Sequence, residues 1–295
     1  MNLRVRAAIA ASIAGLVLLT SACSRKDNSA PPVATPTLTL AHDKVPLGSA
    51  VDVTYRFVVA KDAKFDEDYH VMVHVVDTDE QMIFDFDHMP PVPTTQWKPG
   101  QTVEYTRTEF TPMYPYVGEA SIQIGLYSPN THKRLPLAGE NVGQRAYKMT
   151  RFQIQPQTEN ILIGYKDGWY PAEVVEHNPA IQWQWTKKSA TLAFKNPKRD
   201  AVFYLDVDSP GGAFEETQQV QVTTGGQTVD DFNLKPRERQ LRKIKLSAAQ
   251  LGADDMVELH LVVDKTFVPA LIKTANNNDP RELGVRVFHA FVDAH

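Results

Sequence analysis

A two-residue rhythm of apolar side chains runs through most of this chain and narrows the fold more than any other feature. In Ala50–Val59 the residues Val51, Val53, Tyr55, Phe57 and Val59 fall on one face, and Asp52, Thr54 and Arg56 on the other. That is the pattern of a half-buried strand. Similar runs at Thr37–Ala41, Tyr69–Asp77, Gln81–Phe86, Thr102–Phe110, Ala120–Tyr127 and Tyr147–Ile154 are separated by turn clusters such as Lys98-Pro99-Gly100 and Ser128-Pro129-Asn130. Short strands with regular turns predict a sandwich.

The style repeats after Gln155-Pro156-Gln157. Leu192 and Phe194, then Phe203, Leu205 and Val207, then Val257, Leu259, Leu261 and Val263, each mark the buried face of a strand. Gly225-Gly226 between Gln218–Thr224 and Gln227–Leu234 is a hairpin signal, because both positions accept φ > 0. One short helix is expected, capped by Ser247 and ended by Gly252. The fold class is therefore all-β, with two tandem sandwiches of immunoglobulin-like or jelly-roll-like kind at 37–156 and 157–295. A length of 295 residues fits two domains.

Arg4 and Arg6 lead into an uncharged stretch, Ala7 to Ala22, too short for a stable membrane span and ended by small residues, as in a signal peptide over 1–22. Leu18-Leu19-Thr20-Ser21-Ala22-Cys23 resembles the lipobox of bacterial lipoproteins, which implies cleavage before Cys23 and acylation of that cysteine. Resemblance to lipoprotein sorting, with Ser24 after the cysteine, implies the outer membrane, and the expected orientation is toward the periplasm. Residues 23–36, polar and proline-rich, read as a lipidated tether reaching about 40 Å at roughly 3.1 Å per residue. Cys23 is the chain's one cysteine, so a disulfide framework and a cysteine nucleophile in the folded body are excluded. Losing Arg4 and Arg6 takes the formal charge of −4 two units lower, which argues against nucleic acid as a partner.

Further phrases carry a second resemblance. Val71-Met72-Val73-His74-Val75-Val76-Asp77, Asp87-His88-Met89-Pro90-Pro91, Pro93-Thr94-Thr95-Gln96-Trp97-Lys98-Pro99-Gly100, Ile124-Gly125-Leu126-Tyr127 and Arg134-Leu135-Pro136-Leu137 are similar to a β-sandwich module appended to bacterial membrane glycosyltransferases of the protein mannosyltransferase type. Gly168-Trp169-Tyr170-Pro171, Trp183-Gln184-Trp185-Thr186, Asn196-Pro197, Phe267-Val268-Pro269 and Asp279-Pro280-Arg281-Glu282-Leu283-Gly284 resemble another accessory module from that setting. The resemblance implies a noncatalytic role in envelope or glycan biology, and no active site.

Two constellations stand out as candidate sites. Trp183 and Trp185 share a strand face, with Trp169, Tyr170 and Trp97 elsewhere; exposed aromatic rings would stack on sugars, while the competing reading is that they fill the core of the sandwich or seal its ends. His70, Met72 and His74 share a face of their strand. A two-residue turn at Thr78-Asp79 would set His70 opposite Asp87 and Met72 opposite Asp85, and His88 folding in would complete a periplasmic copper or zinc site. The competing reading is a His–Asp pair fixing the hairpin. The basic run Lys235–Lys243 is read as a solvated turn and strand face, with an anionic surface as its alternative partner. Asp279-Pro280-Arg281 reads as a turn stapled by its own ion pairs. GxSxG, HExxH, Walker and GxGxxG motifs are absent. The expected function is thus that of an envelope binding or scaffolding lipoprotein for glycan or an envelope protein, not an enzyme and without a cofactor, with a metal-binding protein as the alternative.

Overall fold

The computed structural model of the protein describes residues 30–272 and 277–294. Cys23, the segment read as a signal peptide and the start of the tether lie outside the described residues. Among the described residues no helix is long and apolar enough to cross a membrane.

The first sandwich contains β1 (Ala34–Leu40), β2 (Lys44–Pro46), β3 (Ala50–Val59), β4 (His70–Val76), β5 (Met82–Asp85), β6 (Thr102–Phe110), β7 (Gly118–Tyr127), β8 (Arg134–Leu135), β9 (Asn141–Gly143) and β10 (Ala146–Gln155). One sheet has the order β1-β3-β6 and faces a second of order β2-β10-β7-β4-β5, on whose margin β8 and β9 pair with β7 and β10. Val53, Tyr55 and Phe57 from the first sheet meet Val71, Val73, Ile122 and Ile124 from the second in one core. The alternation of apolar residues dictates this packing, because side chains two apart share a face. Strand β1 begins at Ala34, inside the segment read as tether. Ala34, Pro36 and Leu38 are its buried face, and Pro36 is tolerated because β1 is an edge strand that needs no N–H there.

The second sandwich contains β11 (Ile163–Tyr165), β12 (Glu173–Val175), β13 (Asn178–Trp185), β14 (Ser189–Lys195), β15 (Ala201–Asp208), β16 (Gln218–Thr224), β17 (Gln227–Leu234), β18 (Arg239–Leu246), β19 (Met256–Val263) and β20 (Arg286–Asp293). Its sheets have the orders β11-β14-β19-β16-β17 and β12-β13-β20-β15-β18. Phe194, Leu259 and Val222 of one sheet pack on Phe203, Leu205 and Val287 of the other. Gly225 and Gly226, at φ of 54° and 76°, turn β16 into β17. Ser247 and Gln250 form a reciprocal capping box on the single turn α1 (Ala248–Leu251).

A small third cluster joins the two sandwiches. Ala50 packs with Tyr204 and Phe291, and Phe110, Val202 and Leu241 close around them. Lys243 on β18 donates to both carboxylate oxygens of Asp52 on β3, at 2.6 and 2.7 Å.

Candidate functional site: an arginine–aromatic sheet face and its cleft

The histidine-rich strand of the first sandwich does not assemble as expected. Strand β4 pairs with β5 so that His74 faces Asp85, and Val71 is bridged to His88. Two irregularities move the register by two residues from the expected one. The turn is a residue longer, with Glu80 at a φ of 60°, and a bulge between Val75 and Val76 admits Ile83. As a correction, Asp87 therefore does not face His70. One oxygen of Asp87 accepts the Val73 N–H at 2.7 Å and lies 3.9 Å from His74 Nε2. His70 instead sits against the Tyr127 ring, and Met72 is 1% exposed.

His88 is turned to the inner face with Val71, since paired residues point the same way. The Phe86 carbonyl can only accept, so His88 Nδ1–H donates to it at 2.8 Å, leaving Nε2 to accept from the Tyr105 hydroxyl at 2.9 Å. Burial pushes the imidazole down to about 4, so it is a neutral core residue at physiological pH. With His88 turned inward and Met72 buried, the five residues His70, Met72, His74, Asp87 and His88 do not form one ligand set although His74 and Asp87 stay close, and among the described residues no group of three or more His, Cys, Asp or Glu is placed to hold a metal ion.

The second sandwich concentrates its polar chemistry on the outer face of β13, β20, β15 and β18. Trp185 pairs with Arg286, Arg286 with Asp208, and Asp208 with Arg239, a row that crosses all four strands. Arg286 grips Asp208 at 2.8 and 2.5 Å, and Arg239 grips Asp206 in the same two-pronged way. Both carboxylates are buried, at 6% and 5% exposure for Asp206 and Asp208. Burial alone would raise the Asp206 carboxyl, but its bonds from Arg239 and His289 win and hold it below the usual range. A bulge opposite Asp206 and Val207 brings Phe288 and His289 to the same face. Arg239 lies 3.8 Å over the Phe288 ring, while His289 bonds Asp206 at 2.9 Å and stacks at 4.0 Å on Phe110 of the first sandwich.

The four aromatics expected to make one sugar platform are divided. The Arg286 guanidinium stands 5.5 and 5.6 Å from the Trp183 and Trp185 rings, and Trp185 is only 8% exposed. Trp169 points instead toward the second core, where its indole N–H donates to the Thr191 carbonyl at 2.8 Å. Tyr170 lies under Lys187 and Arg281, and its hydroxyl donates to the Glu282 carbonyl. Cationic side chains cover these aromatic faces, so among the described residues the four do not form a flat exposed ladder of rings.

A cleft of about 520 Å³ opens beside this face. Trp185 and Phe267, edge to face at 5.7 Å, with Leu283, form its apolar floor. Phe267 and Leu283 are held by reciprocal backbone bonds of 2.9 and 2.8 Å. The walls carry Glu173, Asp279, Arg281 and Arg286. Arg281 donates to Asp279 at 2.6 Å and to Glu173 at 2.7 Å, so the Asp279-Pro280-Arg281 turn is indeed stapled by its own ion pair. The Arg281 hydrogen bonds hold the Asp279 carboxyl below its ordinary range, which keeps it an acceptor. Trp185 Nε1–H reaches Glu173 at 3.3 Å.

Within the basic run, Arg239 pairs with Asp206, Arg242 with Asp230 and Lys243 with Asp52. Sequence reasoning missed Glu173, Asp206, Asp208, Phe267, Arg286 and Phe288. The usable signal was Asp206 and Asp208, two carboxylates alternating with Leu205 and Val207 in a strand too apolar to leave them unpaired.

No family model matches this chain. No curated protein matches it. Several solved structures are similar in outline. A β-glucuronidase from Bacteroides uniformis is 9% identical, with 88% of this chain and 30% of that one covered, at a TM-score of 0.30. The M60 catalytic domain with the CBM51-1 and CBM51-2 domains of Clostridium perfringens ZmpB is 9% identical over 83% of this chain and 34% of that one, at 0.26. The CBM22-1–CBM22-2 tandem domain of Paenibacillus barcinonensis Xyn10C is 9% identical over 85% and 80%, at 0.27. The chain spans about a third of the length of the first two. Likenesses at these scores say nothing about ligand or activity.

Proposed function

We propose that the protein is a noncatalytic glycan-binding module of the cell envelope, tethered by lipid at Cys23. The observation that carries this reading is the cleft floored by Trp185 and Phe267 and ringed by fixed guanidinium and carboxylate groups. Its volume falls within the roughly 300–1,000 Å³ of small-ligand sites. A sugar ring offers an apolar C–H face to the half-buried Phe267 ring, which Trp185 supports from behind, and hydroxyls to a polar rim, which is the complement of this lining. Binding without catalysis is favoured because Arg281 ties Glu173 and Asp279 into one ion-paired cluster and its hydrogen bonds hold the Asp279 carboxyl below its ordinary range, the opposite of the raised carboxyl that a glycosidase acid needs.

Affinity electrophoresis of the purified protein in gels cast with soluble envelope polysaccharides tests the site. The protein should be retarded and F267A, folded by circular dichroism, should run freely. Free migration of the parent in every gel, or equal retardation of F267A, would sink the reading.

The anchor rests on the sequence before residue 30. With Cys23 acylated, the chain is held to the outer membrane by its acyl chains, facing the periplasm, with its partner a glycan or a glycan-bearing envelope protein. This setting is the one implied by the resemblance to accessory modules of mannosyltransferase-type enzymes. Replacing Cys23 with Ser should move the protein from the membrane to the soluble fraction; a variant that still sediments with membranes contradicts the anchor.

A further inference from the structure

Among the cations around the cleft, Arg237 is the exception. Arg286 is neutralised by Asp208, and Arg281 by Asp279 and Glu173. Arg237 has no ion pair and its side chain makes no hydrogen bond among the described residues, yet it lines the same cleft as Trp185 and Phe267. Nor is its position arbitrary. Its backbone N–H donates to the Ser209 carbonyl at 3.1 Å, which ties the turn around Pro236 to the loop that begins at Ser209. Its side chain then lies directly across Gly211, where an added Cβ would collide with Arg237 Cγ and Nε. Such an approach is open only to glycine. The fold thus holds one guanidinium without an ion pair among the described residues in the lining of a cleft whose carboxylates are engaged by Arg281.

We infer that the cleft selects an acidic saccharide, a sugar ring bearing a single carboxylate, with Arg237 as the residue that receives that carboxylate. The inference rests on the cleft being the glycan site. A guanidinium presents a planar fork matched to a carboxylate, and one free positive charge matches one negative charge. A phosphate, at close to two negative charges, would meet the same single unpaired cation in a cleft that also holds Asp279 and Glu173. A carboxylate left in the cleft without Arg237 would find Arg281 and Arg286 already engaged by Glu173, Asp279 and Asp208.

Isothermal titration of the purified protein with trigalacturonate, with its fully methyl-esterified counterpart and with glucose 6-phosphate tests this. Trigalacturonate should bind about 10- to 100-fold more tightly than the ester, the range of one charge-assisted hydrogen-bonded pair. R237A should lose that preference while still binding the ester as the parent does. G211A should do the same, because its methyl group displaces the Arg237 side chain without touching the charge. Equal binding of acid and ester, both weakened by F267A, would overturn the acidic preference and leave the glycan reading standing. Tighter binding of glucose 6-phosphate than of trigalacturonate would also overturn it. Failure of both trisaccharides to bind would overturn the inference and count against the glycan reading with it.

Discussion

His88 illustrates how a single side chain is committed by its surroundings. It lies between the sheets of the first sandwich, its ring 4.8 Å from that of Tyr55 and its Nε2 bonded to Tyr105. Burial lowers its pKa to about 4 from an ordinary 6.5, so the folded state holds the neutral form while the unfolded chain takes up a proton below about 6.5. More protons bound in the unfolded state means stability falls as pH falls. The loss from this residue should begin near pH 6.5 and level off near pH 4, reaching roughly 3 kcal/mol. Urea unfolding of the parent and of H88Q at pH 7.5, 5.5 and 4 reads this as a difference in slope. The parent should lose more stability than the variant across that window; parallel curves would contradict the assignment. From the sequence, His88 was a candidate ligand, because nothing in Asp87-His88-Met89 tells which face the histidine takes. That face depends on Glu80 adopting a left-handed φ and on the bulge at Ile83, neither of which has a glycine to announce it.

Strand β15 shows the corresponding logic for an element. Its inner face, Phe203, Leu205 and Val207, is legible as alternation and enters the second core. Its outer face carries Tyr204, Asp206 and Asp208, of which the two carboxylates are stable in burial only because β18 and β20 bring Arg239 and Arg286 opposite. D208A would strand the Arg286 guanidinium among Trp183, Trp185 and Phe288, and should cost about 3 kcal/mol. Adding R286M to D208A should recover most of that loss, since an apolar side chain leaves no unpaired charge. Chemical denaturation of the two variants checks it; a double variant as unstable as D208A would show that the pair does more than cancel itself. The β16–β17 hairpin was legible to the residue because Gly225-Gly226 supplies the two positive φ values its turn needs. The cleft was not. Glu173, Trp185, Arg237, Phe267 and Arg281 lie on separate strands and loops, and only long-range pairing gathers them.

In the whole molecule, one sheet face of the second sandwich serves two ends. Tyr204, Phe291 and His289 meet Ala50 and Phe110 of the first sandwich, while Trp185, Arg286 and their partners border the cleft. The bulge in β20 marks the change, sending Phe288 and His289 to the same side with different partners. The all-β class and both sandwiches follow from apolar alternation, a local property repeated along the chain. The joint between them follows from charges as distant as Asp52 and Lys243, which no local pattern links. The central claim is that a saccharide occupies the cleft of the second sandwich. The chain has four tryptophans, so its indole N–H resonances can be assigned one by one. With trigalacturonate added to 15N-labelled protein, the Trp185 indole signal should shift with saturation, while that of Trp97, sealed in the first core, should stay fixed. Shifts confined to Trp97, or no shift at Trp185 with any saccharide, would contradict the account.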